Sequence, residues 1–301
     1  MTPPPPGKLK EISLAGIRLI PDGSRLVPAP GQSVGAPRLV LGVLADIHQA
    51  DEDNLKQLGR IRALLEQAGA HAIVVLGGMD ATYEGTRAAL ASLKGKLPLL
   101  ALPGDRASRS GFSGAVENLG QGVVDLTLAR AVVHPAATLI SVPGYHLVHN
   151  LRAAEQGCSY NAEDLREVAA LARQQGAPRV LLAHGPPRGK GPGAIDRAFG
   201  GINAGDPRLT RLLEQGDFAF GLFAHLHESG GRAARADTGE AIPQGTWASS
   251  MLVNVGSADA TPHEDLAGFW SRGIALLVTF HQGRATYRVI DPNSSETKRN
   301  N

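Results

Sequence analysis

The chain holds one cysteine, Cys158, in 301 residues. A single thiol excludes an internal disulfide framework and any cysteine-rich zinc site. Charge of one sign is lacking as well. Thirty Lys and Arg stand against 28 Asp and Glu, a formal +2, and no basic cluster is dense enough to make nucleic acid an expected partner. No apolar run is long enough to span a bilayer. The basic-then-apolar layout of a signal peptide is absent from the N-terminus, so a cytoplasmic location is expected, with export open if a leader was removed ahead of Met1. GPPRGKG at 185–191 has Gly and Lys but not the GxxxxGK[ST] spacing of a phosphate-binding loop, and there is no GxSxG elbow. No internal repeat is apparent, and nothing fixes an oligomeric state.

What is present is a run of short apolar segments, each opening into a turn. Residues 39–45 are continuously apolar, as in a strand covered on both faces, and lead into Asp46-Ile47-His48. In extended backbone, residues two apart point the same way, so this carboxylate and this imidazole can converge. The pattern recurs. AIVVL at 72–76 opens into Gly77-Gly78-Met79-Asp80, and LPLLAL at 97–102 into Pro103-Gly104-Asp105-Arg106. RVLLA at 179–183 opens into His184-Gly185-Pro186-Pro187, and FAFGLFA at 218–224 into His225-Leu226-His227. Ligands at the carboxyl ends of buried strands lie where α/β sheets bind them.

Between these strands the periodicity predicts helices over 51–67, 85–93, 161–174 (with Asn161 as cap) and 206–214. Residues 107–121 read as a Ser/Gly-rich loop with room for one short helix, and 123–142 as short strands with turns. Residues 228–250 read as a long Gly/Ala-rich loop, followed by closing strands at 251–255, 273–280 and 284–290. The expected organisation is a Pro-rich N-terminal tail over 1–36 with a hairpin at 12–27 added to a sheet edge, one domain over 37–290, and a disordered tail over 291–301. His71, His134, His263 and His281 belong to no motif and read as surface or core residues; Phe269 and Trp270 read as packing.

The ordered set D-x-H, G-x, G-D-R, H-G-P and H-x-H, each after a strand, resembles the calcineurin-like metallophosphoesterases over residues 37–290. The stretches 184–214 and 221–228 resemble a bacterial single-domain branch of that superfamily. The resemblance implies a four-layer α/β/β/α sandwich of two packed mixed sheets flanked by helices. It implies one or two divalent metal ions, with Mn, Fe or Zn suiting mixed His and carboxylate donors. A metal-bound hydroxide would attack a small phosphoester. Position by position, Asp46, His48 and His227 would hold the first metal, and His184 and His225 the second, with Asp105 standing where the family has asparagine.

Two positions depart from the family pattern. Gly78 stands where the family places its metal-bridging aspartate, and Arg106 where it places the histidine that assists the leaving group. Two dications ~3.5 Å apart repel by roughly 20 kcal/mol even at an effective dielectric near 20, so a missing bridge matters. Asp80 could swing back across Gly77-Gly78, although a plain loop carboxylate is the simpler reading. Arg106 cannot release a proton near neutral pH but can grip a phosphate oxygen with its planar fork. Catalysis would then rest on Asp105 and Arg106, and Tyr145, His146 and Arg188 join Arg106 as substrate-binding candidates. Two functions stay open: a metal-dependent phosphomonoesterase or phosphodiesterase, or a weakened family member serving as a metal- or phosphate-binding regulatory module. On the enzyme reading, Gly78→Asp with Arg106→His would restore the missing groups.

Overall fold

The computed structural model describes residues 7–32, 37–151, 157–176 and 178–294. The proline run at 3–6 and the tail from 295 onward lie outside the described residues. Among the described residues, seventeen strands and five α-helices follow in chain order. First come β1 (Ile12–Leu14), β2 (Ile17–Asp22) and β3 (Arg25–Pro28), then β4 (Arg38–Leu44), α1 (Glu52–Gln67), β5 (Ala72–Leu76), α2 (Tyr83–Leu93), β6 (Leu99–Leu102) and α3 (Arg109–Leu119). Next are β7 (Val123–Asp125), β8 (Ala131–His134), β9 (Ala137–Val142), α4 (Ala162–Arg173), β10 (Arg179–Ala183), α5 (Pro207–Gln215) and β11 (Phe220–Phe223). The chain closes with β12 (Arg232–Ala234), β13 (Met251–Asn254), β14 (His263–Glu264), β15 (Trp270–Ser271), β16 (Ala275–His281) and β17 (Arg284–Ile290).

Two mixed sheets carry the fold. The smaller runs β17-β16-β4-β5-β6-β7, and the larger runs β1-β2-β3-β8-β9-β10-β11-β13-β12. From β4 to β7, and again from β9 through β10 and β11 to β13, the strands are parallel. Their carboxyl ends therefore open in one direction within each sheet. The period of two sorts the side chains into layers. Leu41, Val43, Val74, Leu182 and Leu222 point into the core between the sheets. Val40, Leu44, Ile73 and Val75 point outward, against Leu58, Ile61 and Leu65 of α1 and Phe112 of α3. On the far side, Ile140, Val142 and Leu181 meet Leu165 and Val168 of α4 and Leu209 and Leu212 of α5. The order is helices, sheet, sheet, helices, as the four-layer expectation has it.

Helix starts follow side-chain capping. Asp51 accepts from Asn54 N, Thr82 from Gly85 N and Ser108 from Gly111 N, and Asn161 with Asp164 forms a capping box. Four sequence expectations change. The helix expected over 85–93 begins at Tyr83, because Thr82 is its cap. The segment 107–121, expected as a loop with room for one short helix, is mostly an eleven-residue helix capped by Ser108. The hairpin expected at 12–27 on a sheet edge does lie at the edge of the larger sheet, but as a three-stranded antiparallel meander whose β3 pairs parallel with β8. The long loop at 228–250 contains β12, paired antiparallel with β13. Gly42 sits where β4 meets α1: a Cβ there would lie 2.6 Å from the Leu65 side chain. Among the described residues no helix is long and apolar enough to cross a membrane.

His134, at the end of β8, is buried, as one of the two expected readings had it. Its Nδ1 accepts from Ala136 N at 3.1 Å, while Nε2 has no partner. Burial, helped by nearby His71, pushes its pKa down to about 4. The folded state keeps this ring neutral, whereas the unfolded chain takes a proton near the ordinary value of about 6.5. The associated stability is therefore full above the unfolded value and is lost as pH falls toward 4. Chemical denaturation across this range should show His134 contributing a fall of about 2 kcal/mol. His134→Asn, which keeps an acceptor for the Ala136 amide, should flatten that part of the profile; an unchanged slope would mean the ring charges without cost.

Candidate metal centre

The site assembles where strand ends from both sheets meet. Asp46 and His48 follow β4, Asp105 follows β6, His184 follows β10, and His225 and His227 follow β11. The loops are stitched together by backbone bonds. Asp46 N donates to Gly77 O, Ile47 N and His48 N to Gly78 O, and Ala224 N to His184 O. Asp46, His48 and His225 all have left-handed backbone, with φ of 55°, 60° and 72°. Each turn aims its side chain back toward a common centre.

Asp46 is at that centre, 1% exposed. Its Oδ1 lies 3.9 Å from both His48 Nε2 and His184 Nε2. Its Oδ2 lies 3.5 Å from His227 Nε2 and accepts a 2.8 Å hydrogen bond from His225 N. Two groups of possible ligands share it: Asp46, His48 and His227, and Asp46, His184 and His225. Asp105 approaches the second group, with Oδ1 3.0 Å from His184 Nε2 and Oδ2 3.9 Å from His225 Nδ1.

The donor set fits divalent cations on three observations. His184 Nδ1 donates to Leu76 O at 2.8 Å, and His48 Nδ1 to Asp259 Oδ2 at 2.8 Å. Each bond fixes the tautomer and leaves Nε2 facing the centre, as outer partners of metal-bound histidines do. Asp105 Oδ1 is buried against His184 Nε2 at 3.0 Å, a pairing in which a cation could take the place of the shared proton.

The electrostatics are those of a cluster built around negative charge. Burial alone would raise the Asp46 carboxyl, but His184, His227 and His225 hold it far below the usual carboxylate range. Burial likewise opposes the charge on His184, yet Asp46 and Asp105 lift its pKa to about 9. His225, desolvated and next to that imidazolium, falls to about 4. Without a cation, His184 therefore carries the positive charge, and a cation bound through its Nε2 would take the place of that proton.

With this geometry in hand, comparisons with known proteins are informative at the level of fold. No family model matches the chain, and no curated protein matches it in sequence. Solved structures do. A protein from Thermus thermophilus aligns with TM-score 0.55 and 16% identity over 79% of this chain and 99% of its own. A dimetal phosphatase from Danio rerio aligns with TM-score 0.50 and 13% identity, over 84% and 98%. The purple acid phosphatase PPD1 from yellow lupin aligns with TM-score 0.53 and 12% identity, over 89% and 53%.

The chain has the metallophosphoesterase fold. Within that fold, Gly78 is tied to Asp46. A Cβ on Gly78 would lie 2.0 Å from Asp46 Oδ1 and 2.7 Å from Asp46 Cα, and its φ is 67°. The Asp46 carboxylate fills the space a side chain at 78 would need, so Gly78→Asp cannot simply restore a bridge. Asp80 is not the substitute either. Its Oδ2 accepts from Ala50 N, and its Oδ1 from Thr82 N and Oγ1, so it ties two loops beside α2.

The substrate-binding candidates separate. The Tyr145 ring packs on His225, with centroids 4.3 Å apart, and is at the centre. His146 packs behind Tyr145 and faces Tyr160, while Arg188 lies exposed over a separate cavity with Leu213 and Phe218. Arg106 is half-buried, its Nε without a partner, and its charge acts on Asp80.

Two neighbours escape the motifs. Asp259 orients His48, and His263 stacks edge-on to His227 with centroids 4.7 Å apart, so His263 is a site residue rather than an ordinary core or surface one. A third group, His48, Asp259 and His263, results. Both residues follow β13, beyond the last motif, and no spacing links them to it.

Elemental analysis of protein purified without chelator should find His227→Ala, Asp46→Asn and Gly78→Asp depleted of metal severalfold, with Asp80→Ala near wild type. Wild-type metal content in Gly78→Asp would contradict the shared-carboxylate geometry. Depletion in Asp80→Ala equal to that in His227→Ala would make Asp80 a ligand.

Proposed function

We infer that the chain is a metal-dependent hydrolase of small phosphoesters, of the calcineurin-like class. The observation that carries the inference is the convergence of six donors from four strand-end loops on one buried carboxylate, within a fold shared with dimetal phosphatases. Asp46 belongs to both candidate ligand groups, so cations held by the two groups would share its charge, which would answer the loss of a bridge at Gly78. Imidazole and carboxylate donors together suit Mn, Fe or Zn. Such cations, once bound, neutralise phosphoryl oxygens and activate water.

The protein's own groups do the rest. Asp259 holds His48 in one tautomer, and the Leu76 carbonyl does the same for His184. Burial, followed by the charge of Asp105, raises the Tyr145 phenol, so it keeps its proton and can donate a hydrogen bond to a phosphate oxygen. Arg106 follows Asp105 directly and can grip the same phosphate bidentately. Neither residue is a general acid at neutral pH, since a guanidinium and a phenol of raised pKa both hold their protons.

A second reading, a metal- or phosphate-binding regulatory module, draws on Gly78 and Arg106. It predicts bound metal without turnover. The hydrolase reading predicts up to two metal equivalents per chain and turnover with a steep dependence on the leaving group. General acid catalysis is worth about 10²–10⁴-fold, so manganese-loaded protein should favour 4-nitrophenyl phosphate over ethyl phosphate by at least that margin. Metal without hydrolysis of either ester would select the regulatory module, and protein that takes up no metal would exclude the hydrolase and leave the module only as a metal-free phosphate binder.

A further inference from the structure

A cavity of about 250 Å³ opens beside the metal centre, with the ligand His227 in its wall. Its other walls include Arg232, His263, Ile274, Phe269 and Trp270. The sequence alone reads the last two as packing, yet Phe269 is 73% and Trp270 68% exposed, the highest values among the large apolar residues described. Both lie on or beside the ribbon of β14 and β15, where His263 pairs with Ser271 and Glu264 with Trp270.

The ribbon is fixed in place. Asp265 Oδ1 accepts from Ala267 N and Phe269 N, and Asp265 N donates to Phe269 O. Leu266 N donates to Glu228 O, tying the ribbon to the turn that presents His227. The backbone that carries the two exposed rings is therefore tied to the turn that presents His227. Exposed aromatic surface at a pocket mouth carries no folding benefit and marks a contact. The cavity lies below the range of about 300–1,000 Å³ typical of drug-sized sites, so it takes a ring rather than a large ligand. Two side chains fall far short of the ~800 Å² per partner of a standard protein interface, which argues against a second copy as occupant.

We propose that this cavity is the leaving-group subsite, and that the natural substrates are phosphoesters whose leaving group carries a flat aromatic ring. The ring stacks on Trp270 with Phe269 at its edge, Arg232 faces an acceptor on the ring, and the phosphoryl group lies on the His227 side. This deepens the phosphoesterase reading and depends on it. Ring stacking should add about tenfold in affinity.

Because aryl esters also react faster for electronic reasons, the test is binding of unreactive analogues. Trp247, the only other indole, lines a different cavity, so Trp247→Phe leaves Trp270 as the sole tryptophan reporter. Manganese-loaded Trp247→Phe protein is titrated with phenylphosphonate and with methylphosphonate, by Trp270 emission and by calorimetry. Phenylphosphonate should bind about tenfold more tightly and alone change Trp270 emission. In calorimetry, Trp270→Leu in the same background should reduce the preference to within twofold while methylphosphonate affinity stays unchanged, and Trp270→Phe should keep most of it. Equal affinity for the two phosphonates, or a preference that survives Trp270→Leu, overturns the subsite and leaves the phosphoesterase reading standing. Binding of neither phosphonate overturns both. Emission that follows protein concentration, with dimers in sedimentation, makes the ribbon an interface and also overturns the subsite.

Discussion

A buried carboxylate is tolerable only when its charge is answered on every side, and Asp46 is the group on which this structure turns. Desolvating an isolated anion costs many kcal/mol. Here the His225 amide and three imidazoles answer it. Asp46 follows a strand of the smaller sheet and those groups follow strands of the larger one, so packing the sheets and forming the site are one event. The bonds from Asp46, Ile47 and His48 to Gly77 and Gly78 hold the first ligand loop at the depth where this can happen.

Much of the fold could be read from the chain because the physics there is local. Apolar runs of four to seven residues bounded by Gly, Pro and Asp mark strands whatever they pair with. Asn161, with an acidic residue three positions on, marks a helix start. What could not be read is long-range. The meander at 12–28 joins the larger sheet through pairing with β8, a partner more than a hundred residues away. The helix at 109–119 is obscured in the sequence by its Ser and Gly content, where Ser108 resembles loop chemistry rather than a cap.

The side chains that cluster at the strand ends were legible because their turns follow directly on buried strands, although Asp46, His48 and His225 reach the centre through left-handed backbone and not through the extended backbone expected for 46–48. Asp259 and His263 were not, since they reach the centre only through the return of the chain after β13. The structure also changes the meaning of Gly78. As a letter in a motif it reads as a deletion of function, whereas in three dimensions it is the space into which Asp46 fits. Fold and function remain separable in this architecture, and the glycine at 78 leaves room for the buried Asp46 carboxylate at the centre.

The three left-handed ligand positions have a consequence for how this chain would drift. A non-glycine residue in that conformation costs roughly 1–2 kcal/mol, and glycine there is nearly free. Glycine at His48 or His225 would relax its turn, as it does at the neighbouring left-handed positions 77 and 78, with φ of 85° and 67°. At Asp46 it would also leave the His225 amide without its acceptor. The same backbone conformation is therefore held more firmly at the carboxylate than at the two imidazoles, and an idle copy of this fold would shed those rings first.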